Sequence, residues 1–236
     1  MTMGILKGHT CLFTIALSLA MIGVFGGCRK RTPTAQREAP KVARQTTAAE
    51  MALLTAAQAN DLAAAKNLLE KGVDVNMRGP DRNTPIMEAA YSGHVEMAKL
   101  LLDHGADLSA KKTDGATATL LIGDHKDVGV LFKNVSKLVD AASSGDIRTL
   151  QELVDSGTPV NGLDQNGRAA LNEAAWNGKT EAVKLLLDKG ANPNIRKADG
   201  ASPVDLAAGQ KHQDIVDLLN AAVAKRRTTP TATAGQ

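Results

Sequence analysis

Residues Asn83–Gly115 read NTPIMEAAYSGHVEMAKLLLDHGADLSAKKTDG, and this stretch decides the fold. A helix is expected to begin at Thr84-Pro85, because threonine can cap a helix and proline fits its first turn. A second helix is expected over Val95–Leu102, with apolar residues on more than one side. Gly105 then stands where a left-handed cap is needed, before an extended segment. A unit of this kind cannot bury its own apolar face, so it needs copies beside it.

Copies of this unit recur along the chain. Each first helix carries a pair of alanines: Ala56-Ala57, Ala89-Ala90, Ala141-Ala142, Ala174-Ala175 and Ala207-Ala208. Three of the four gaps between these pairs are 33 residues. The cap and the extended segment also repeat, as GVDVN (72–76), GADLS (105–109), GTPVN (157–161) and GANPN (190–194).

A 33-residue period that carries T-P-x-x-x-A-A and G-A-D-x-N resembles the ankyrin repeat, a β-turn finger followed by two antiparallel helices. The resemblance covers Thr47 to about Ala224. It implies an all-α repeat solenoid of stacked helix–turn–helix ankyrin repeats with β-turn fingers. The expected repeats are about 47–80, 81–113, a degenerate 114–134, 135–165, 166–198 and 199–224.

The chain departs from the family pattern in two ways. The family motif has histidine three residues after the threonine, where it links neighbouring repeats by hydrogen bonds. The corresponding residues of this chain are Leu54, Met87, Leu120, Asn172 and Asp205, so that network must be weaker or built differently. The gap from Ala89 to Ala141 is 52 residues, one repeat plus 19. Residues 114–134 therefore read as a truncated unit that divides the array into blocks 47–134 and 135–224.

The N-terminus carries an uncharged apolar run, Cys11–Gly27, which ends at Cys28. The run is short for a spanning helix but suits the hydrophobic region of a signal peptide. Gly26-Gly27-Cys28 resembles the bacterial lipoprotein cleavage site, which implies a signal peptide over 1–27 and a lipidated Cys28 as the first mature residue. Phe25 stands where that motif usually has leucine. The charged Arg29-Lys30-Arg31 opposes translocation, so an uncleaved membrane anchor is the alternative.

Composition separates the array from its flanks. Residues 28–46 are expected to form a disordered basic linker and residues 225–236 a disordered basic tail. Between Thr47 and Ala224 there are 18 Lys and Arg against 24 Asp and Glu, a net charge of −6. The rest of the chain holds the other 10 basic residues and 1 acidic residue. Nucleic-acid binding is not expected, because it would concentrate positive charge on the folded domain.

The sequence holds no pattern that indicates catalysis, a cofactor or a metal. After Cys28 no cysteine remains for a disulfide or a zinc site. His94 and His212 follow the turn between helices, where the ankyrin motif itself has histidine, so a structural role is expected for both. No H-x-x-x-H pair, nucleophile elbow or phosphate-binding loop occurs. An enzyme is therefore the least favoured class.

Binding remains as the expected function. Tyr91 and Trp176, two of the three aromatic residues after Cys28, occupy the same repeat position beside the turn between helices. Tyrosine and tryptophan are favoured contact residues at protein interfaces. The fingers add mostly positive side chains that are expected to point outward. The predicted partner-binding residues are Arg78, Tyr91, Lys111, Lys112, Arg168, Trp176, Arg196 and Lys197.

The favoured interpretation is a monomeric, lipid-anchored periplasmic protein of the bacterial cell envelope whose array binds another envelope protein. One alternative is an inhibitor or immunity-type protein that occludes a secreted enzyme. Another is a structural tether whose basic segments hold an anionic envelope polymer. The scaffold hosts many unrelated partners, so the fold does not name this one.

Overall fold

The computed structural model describes residues 47–197 and 199–228, and within them the chain forms ten helices. The predicted lipidation residue Cys28, the predicted signal peptide and the predicted linker lie outside the described residues. The helices are α1 (Ala48–Ala59), α2 (Leu62–Glu70), α3 (Pro85–Ser92), α4 (Val95–Asp103), α5 (Lys126–Ser144), α6 (Ile147–Asp155), α7 (Ala170–Trp176), α8 (Thr180–Asp188), α9 (Pro203–Gly209) and α10 (Gln213–Thr228).

The helices pair and stack as an all-α repeat solenoid, which confirms the predicted fold class. Each of α1, α3, α7 and α9 is the first helix of a unit and packs against the second helix that follows it. First helices also pack on first helices of neighbouring units, α1 on α3 and α7 on α9. α10 runs past Ala224, where the predicted array ends. The Arg226 guanidinium donates to the carbonyl oxygen of Gly190 at 2.9 Å, which attaches this extension to the preceding finger.

The turn between helices requires glycine in the second unit. Gly93 ends α3 with φ of 73°, in the left-handed region that residues with a Cβ atom avoid. A Cβ atom there would also collide with the imidazole ring of His125, which packs over the turn. The histidine of one unit therefore fits against the glycine of the unit before it.

The fingers are joined by side-chain bonds to the backbone of their neighbours. Asn76 Nδ2 donates to the carbonyl oxygen of Gly105 at 3.0 Å, and Asn76 Oδ1 accepts from the Asp107 amide at 2.9 Å. Asn161 Oδ1 accepts from the Asn192 amide at 2.7 Å in the same manner. Each asparagine satisfies polar groups that the extended backbone leaves without helical partners.

The irregular third unit has lost most of its first helix and its whole finger. Residues 116–125 form turns where another unit would have a complete first helix. α5 then runs for 19 residues without a break, so the boundary expected between 134 and 135 lies inside one helix. It combines the second helix of the third unit with the first helix of the fourth, because no finger interrupts it.

The finger of the second unit pairs directly with the finger of the fourth across this irregularity. The Leu108 amide donates to the Leu163 carbonyl at 3.1 Å, and the Leu163 amide donates to the Ala106 carbonyl at 3.0 Å. These bonds form a short parallel bridge at Asp107 and Leu163. The row of fingers is therefore continuous although the row of first helices is interrupted.

The core is divided into two apolar clusters that meet within α5. Val128, Phe132 and Val135 of this helix are buried in the first cluster. Leu138 and Ala142 are buried in the second. One helix thus contributes to both cores.

Candidate protein-binding face

Tyr91 and Trp176 are exposed at equivalent positions on the first helices. Their side chains are 66% and 45% exposed, whereas the preceding alanine pairs, Ala89-Ala90 and Ala174-Ala175, are fully buried. The small alanine side chains allow neighbouring first helices to approach closely. The aromatic residue that follows lies outside this contact, at the end of α3 or α7, so the array exposes it rather than using it to fill the core.

The first finger (residues 72–83) and the second finger (residues 105–116) lie side by side and carry positive side chains. Arg78 Nη1 donates to the Lys111 carbonyl oxygen at 3.0 Å. The Thr113 hydroxyl donates to the Asp81 carbonyl oxygen at 2.9 Å. Arg78 and Lys111 are exposed, whereas Lys112 is partly buried. The predicted residues of these two fingers therefore lie on one continuous surface.

The cations of the later fingers are engaged within the fold. Arg168 Nη2 lies 2.7 Å from Oδ2 of the buried Asp164 and 2.9 Å from Oδ1 of Asp140. Lys197 Nζ lies 3.2 Å from Glu173 Oε1, and both side chains are largely buried. These carboxylates offset the charge of Arg168 and Lys197, whereas the sequence predicted that the outward-pointing charge of the fingers is mostly positive.

The Arg168 cluster also fixes the finger itself. Asp164 Oδ1 accepts the backbone amides of Asn166 and Arg168, both at 2.9 Å. Burial alone would lower the pKa of Arg168, but hydrogen bonds from its guanidinium to Asp164 and Asp140 outweigh burial and raise that pKa. Arg196 Nη1 donates to the Gly200 carbonyl oxygen at 2.7 Å, so its side chain supports the next turn.

Three of the four histidines in the described ranges precede a helix and have structural contacts there, whereas His104 follows the end of α4. His94 Nε2 lies 3.2 Å from the Gln58 carbonyl oxygen of the preceding unit. His125 packs on Gly93, and His212 packs on Gly178. Within residues 47–197 and 199–228, no cluster of three His, Cys, Asp or Glu side chains could hold a metal ion.

Leu120 is an exposed apolar residue that sequence reasoning did not assign to the face. Its side chain is 74% exposed, whereas Met87 at the corresponding position of the second unit is buried. The signal was available in the shortened spacing, since Thr117 and His125 are eight residues apart but Thr84 and His94 are ten. With two residues fewer, this segment forms turns instead of a helix, and Leu120 lies exposed on one of them.

None of the helices in the described part of the chain is both long and apolar enough to cross a bilayer.

Family comparison agrees with the repeat geometry. The family model described as ankyrin repeats (3 copies) matches residues 36–122 and 138–227, more than half of the chain. The chain belongs to the ankyrin-repeat family. The unmatched stretch between the two segments contains the start of α5, where the finger is absent. The family's arrays are protein–protein interaction modules and are generally non-catalytic.

Curated relatives share the ankyrin array and are much longer. The chain is 29% identical to the ankyrin repeat and KH domain-containing protein mask-1 of Caenorhabditis elegans, over 69% of this chain and 7% of that protein. It is 29% identical to palmitoyltransferase AKR1 of Lachancea kluyveri, over 60% of this chain and 22% of that protein. It is 31% identical to ankyrin repeat protein nuc-2 of Neurospora crassa, over 54% of this chain and 13% of that protein. The chain therefore spans less than a quarter of each.

Proposed function

We propose that this ankyrin protein is a non-catalytic binding module that holds another bacterial envelope protein on the face formed by its fingers and first helices. The observation that carries the proposal is the exposure of Tyr91 and Trp176 at equivalent positions, 66% and 45%. Phe132, the other aromatic residue in the described ranges, is buried in the core. The two exposed rings are separated along one face, so a partner could contact both.

Aromatic side chains are effective anchors because they bury a large area with few rotatable bonds, and they are enriched among residues that dominate binding energy. The fingers beside them add charge, which mainly governs the rate of association and the choice of partner. This division of roles supports a protein ligand rather than a small molecule, which would need an enclosed apolar cavity.

We further propose that Cys28 anchors the protein to a membrane through a lipid. The support is in the sequence, where an apolar run of signal-peptide length ends at Gly26-Gly27-Cys28. The basic linker 28–46 would separate the array from the bilayer and contact anionic headgroups. The array would then act as a monomer in the periplasm.

The binding proposal is tested by crosslinking the full-length chain in intact envelopes and identifying the protein recovered with it. Trp176→Ala should weaken binding of that partner tenfold or more, because truncation of a central aromatic residue often costs about 2 kcal/mol. Val130→Ala is the control, since Val130 is exposed on α5 near Val95 and Lys99 of α4, a second helix. If Trp176→Ala unfolds the array and binding follows only the folded fraction, Trp176 belongs to the core and the assignment fails.

The anchoring proposal has a separate test. Cys28→Ser should block processing and leave a slower-migrating precursor that takes up no radiolabelled fatty acid. Equal migration of the two proteins, with no label on the wild type, would instead support an uncleaved anchor.

A further inference from the structure

The tip of the first finger has arginine where the other fingers have glycine. Arg82 has φ of 58°, and the equivalent residues Gly115, Gly167 and Gly200 have φ of 87°, 70° and 90°. A left-handed backbone is unfavourable for a residue with a Cβ atom. Backbone hydrogen bonds hold the turn, the Arg82 amide donating to the Gly79 carbonyl oxygen at 2.9 Å, but the exposed Arg82 side chain has no ion-pair partner within the described ranges. Asn60 and Lys211 share this conformation, but only Arg82 has it at a finger position where the equivalent residues are glycine, which makes the position a candidate for a function.

Lys112, in the second finger, has also lost the partner that its counterpart has. Lys112 is equivalent to Lys197, whose ammonium group pairs with Glu173 at 3.2 Å. The carboxylate equivalent to Glu173 is Glu88, and Glu88 instead accepts a hydrogen bond from Asn83 Nδ2. Among the residues that the structure describes, no carboxylate lies within ion-pair distance of Lys112.

One difference in sequence, asparagine in place of arginine, explains why Lys112 has no carboxylate partner and Lys197 has one. Asn83 is equivalent to Arg168, which is bound to Asp164 and Asp140 and leaves Glu173 available to Lys197. Asn83 is instead a short amide that reaches Glu88 and occupies it. Arg168 and Lys197 of the later fingers are therefore paired with carboxylates, whereas Lys112 is not.

An exposed apolar residue follows these cations closely in the chain. The two fingers are held together by the bond from Arg78 to the Lys111 carbonyl and by that from Thr113 to the Asp81 carbonyl. Leu120 follows one turn beyond the second finger and is 74% exposed.

We propose that Arg82, Lys111, Lys112 and Leu120 form an acidic-segment site, which binds a partner stretch with several carboxylates around an apolar side chain. This inference rests on the proposed protein-binding function and specifies the chemistry of the partner. The exposed Asp81 and Asp114 lie among the cations. They reduce the net positive charge of the surface, which disfavours a phosphate backbone with a charge on every nucleotide more than it disfavours a peptide with spaced carboxylates, and the array as a whole is acidic. An acidic peptide therefore fits the site better than a nucleic acid does.

Fluorescence anisotropy of the full-length chain in mild detergent tests the site directly. The probe is a fluorescein-labelled peptide of twelve residues with six glutamates interleaved with leucine and alanine. The comparison probe replaces each glutamate by glutamine. The wild type should bind the glutamate peptide at least tenfold more tightly, and the difference should shrink with added salt. The basic flanks are common to every variant, so differences between variants report on the array.

Arg82→Gly is the decisive variant because folding and binding should change in opposite directions. The thermal midpoint should rise as the backbone strain is relieved, while affinity for the glutamate peptide falls about threefold, as expected for one exposed ion pair. Lys112→Ala should weaken binding to a similar extent, and Leu120→Ala should also weaken it. The matched control Lys197→Ala should leave affinity unchanged, since that ammonium group is already paired with Glu173.

The proposal is overturned if Arg82→Gly raises the midpoint without lowering affinity, or if Lys197→Ala and Lys112→Ala have equal effects. It is also overturned if the glutamine peptide, or a twelve-nucleotide single-stranded DNA, binds as tightly as the glutamate peptide. A crosslinked envelope partner that depends on Trp176 but not on Arg82 would reject the acidic-segment site and leave the broader function standing. If no protein is crosslinked to the wild-type chain in intact envelopes, the broader function is rejected instead.

Discussion

The threonine hydroxyl groups at the starts of the first helices have different hydrogen-bond partners from unit to unit. The Thr47 hydroxyl accepts the Glu50 amide, and the Glu50 carboxylate accepts the Thr47 amide at 2.7 Å. Thr84 is fully buried, and its hydroxyl has no hydrogen-bond partner. Met87, three residues further on, stands where the family motif has histidine, and its thioether is only a weak hydrogen-bond acceptor. The Thr84 hydroxyl therefore stays unsatisfied.

Replacement of these two threonines should have opposite effects on stability. Thr84→Val should be neutral or stabilising by up to about 1 kcal/mol, because it removes a buried polar group that has no partner. Thr47→Val should cost about 1 kcal/mol, because it removes a helix cap. Urea denaturation of both variants measures the difference, and an equal loss at the two sites would contradict it.

Leu101 and Leu120 form a second matched pair, of equal chemistry and opposite burial. Leu101 is fully buried, and Leu120 is largely exposed. Leu101→Ala should lower the free energy of unfolding by about 2–5 kcal/mol through loss of packing and the cavity left behind. Leu120→Ala should change it by less than about 0.5 kcal/mol. A small loss at Leu101 in urea denaturation would mean that the units stack in a different register.

At the scale of elements, the sequence predicted the positions of the first helices but not the continuity of α5. The 33-residue spacing of the alanine pairs located the first helices, and the 52-residue gap located the irregular unit. The joining of two helices into Lys126–Ser144 was not visible. Helix ends are recognised by glycine caps and proline, and the boundary expected at 134 has neither. Gly129 lies inside the helix and does not end it.

Amide hydrogen exchange should divide the irregular unit into two parts. The turns at Asp114–Asp124 have no regular helical hydrogen bonds and only Ala118 among them is buried, so they should exchange quickly. α5 should be protected through Asn134 and Val135, because Phe132 and Val135 are buried in the first core and Leu138 in the second. Mass spectrometry of peptides across 114–144 gives the comparison. Fast exchange centred on 134 and 135 would contradict a continuous helix.

At the scale of the whole molecule, exposed carboxylates link folding to pH. Hydrogen bonds from neighbouring side chains lower the pKa of four aspartates below the ordinary value of 3.8. The main donor is Thr149 for Asp146, Lys189 for Asp155, Ser202 for Asp205 and Thr180 for Asp214. Their stabilising contribution is present above pH 3.8 and is lost as the pH falls through the lowered values. Asp103 acts in the opposite direction, because burial raises its pKa.

The free energy of unfolding should therefore decrease as the pH is lowered from 5 to below 3.8. Thr180→Val should reduce this dependence, because the Thr180 hydroxyl donates to Asp214 Oδ2 at 2.6 Å and favours the charged form. Thr55→Val is the control, since the Thr55 hydroxyl donates to the Met51 backbone carbonyl instead. Urea denaturation at several pH values measures the slope, and equal slopes for wild type and Thr180→Val would contradict the linkage.

The candidate face could be predicted only in part because its charges depend on non-local partners. Repeat spacing alone placed Tyr91 and Trp176 at equivalent positions, and both are exposed. From the same spacing, Lys112 and Lys197 were both predicted to contact a partner. Whether each lysine finds a carboxylate is decided by the choice of Asn83 or Arg168 in the adjoining finger. That choice needs three-dimensional contacts which a periodic pattern does not encode.

Two features join the two halves of the array: α5, which contributes to both cores, and the hydrogen-bonded bridge between the fingers of the second and fourth units. A single cut of the backbone at the exposed Gly123 would leave α5 on the second fragment, with Phe132 still buried in the core of the first. The hydrogen bonds between Leu108 and Leu163 would hold the fragments together from the finger side. Fragments 1–123 and 124–236 are therefore suited to reassembly when produced as separate chains, with the association itself restoring the missing part of each fold.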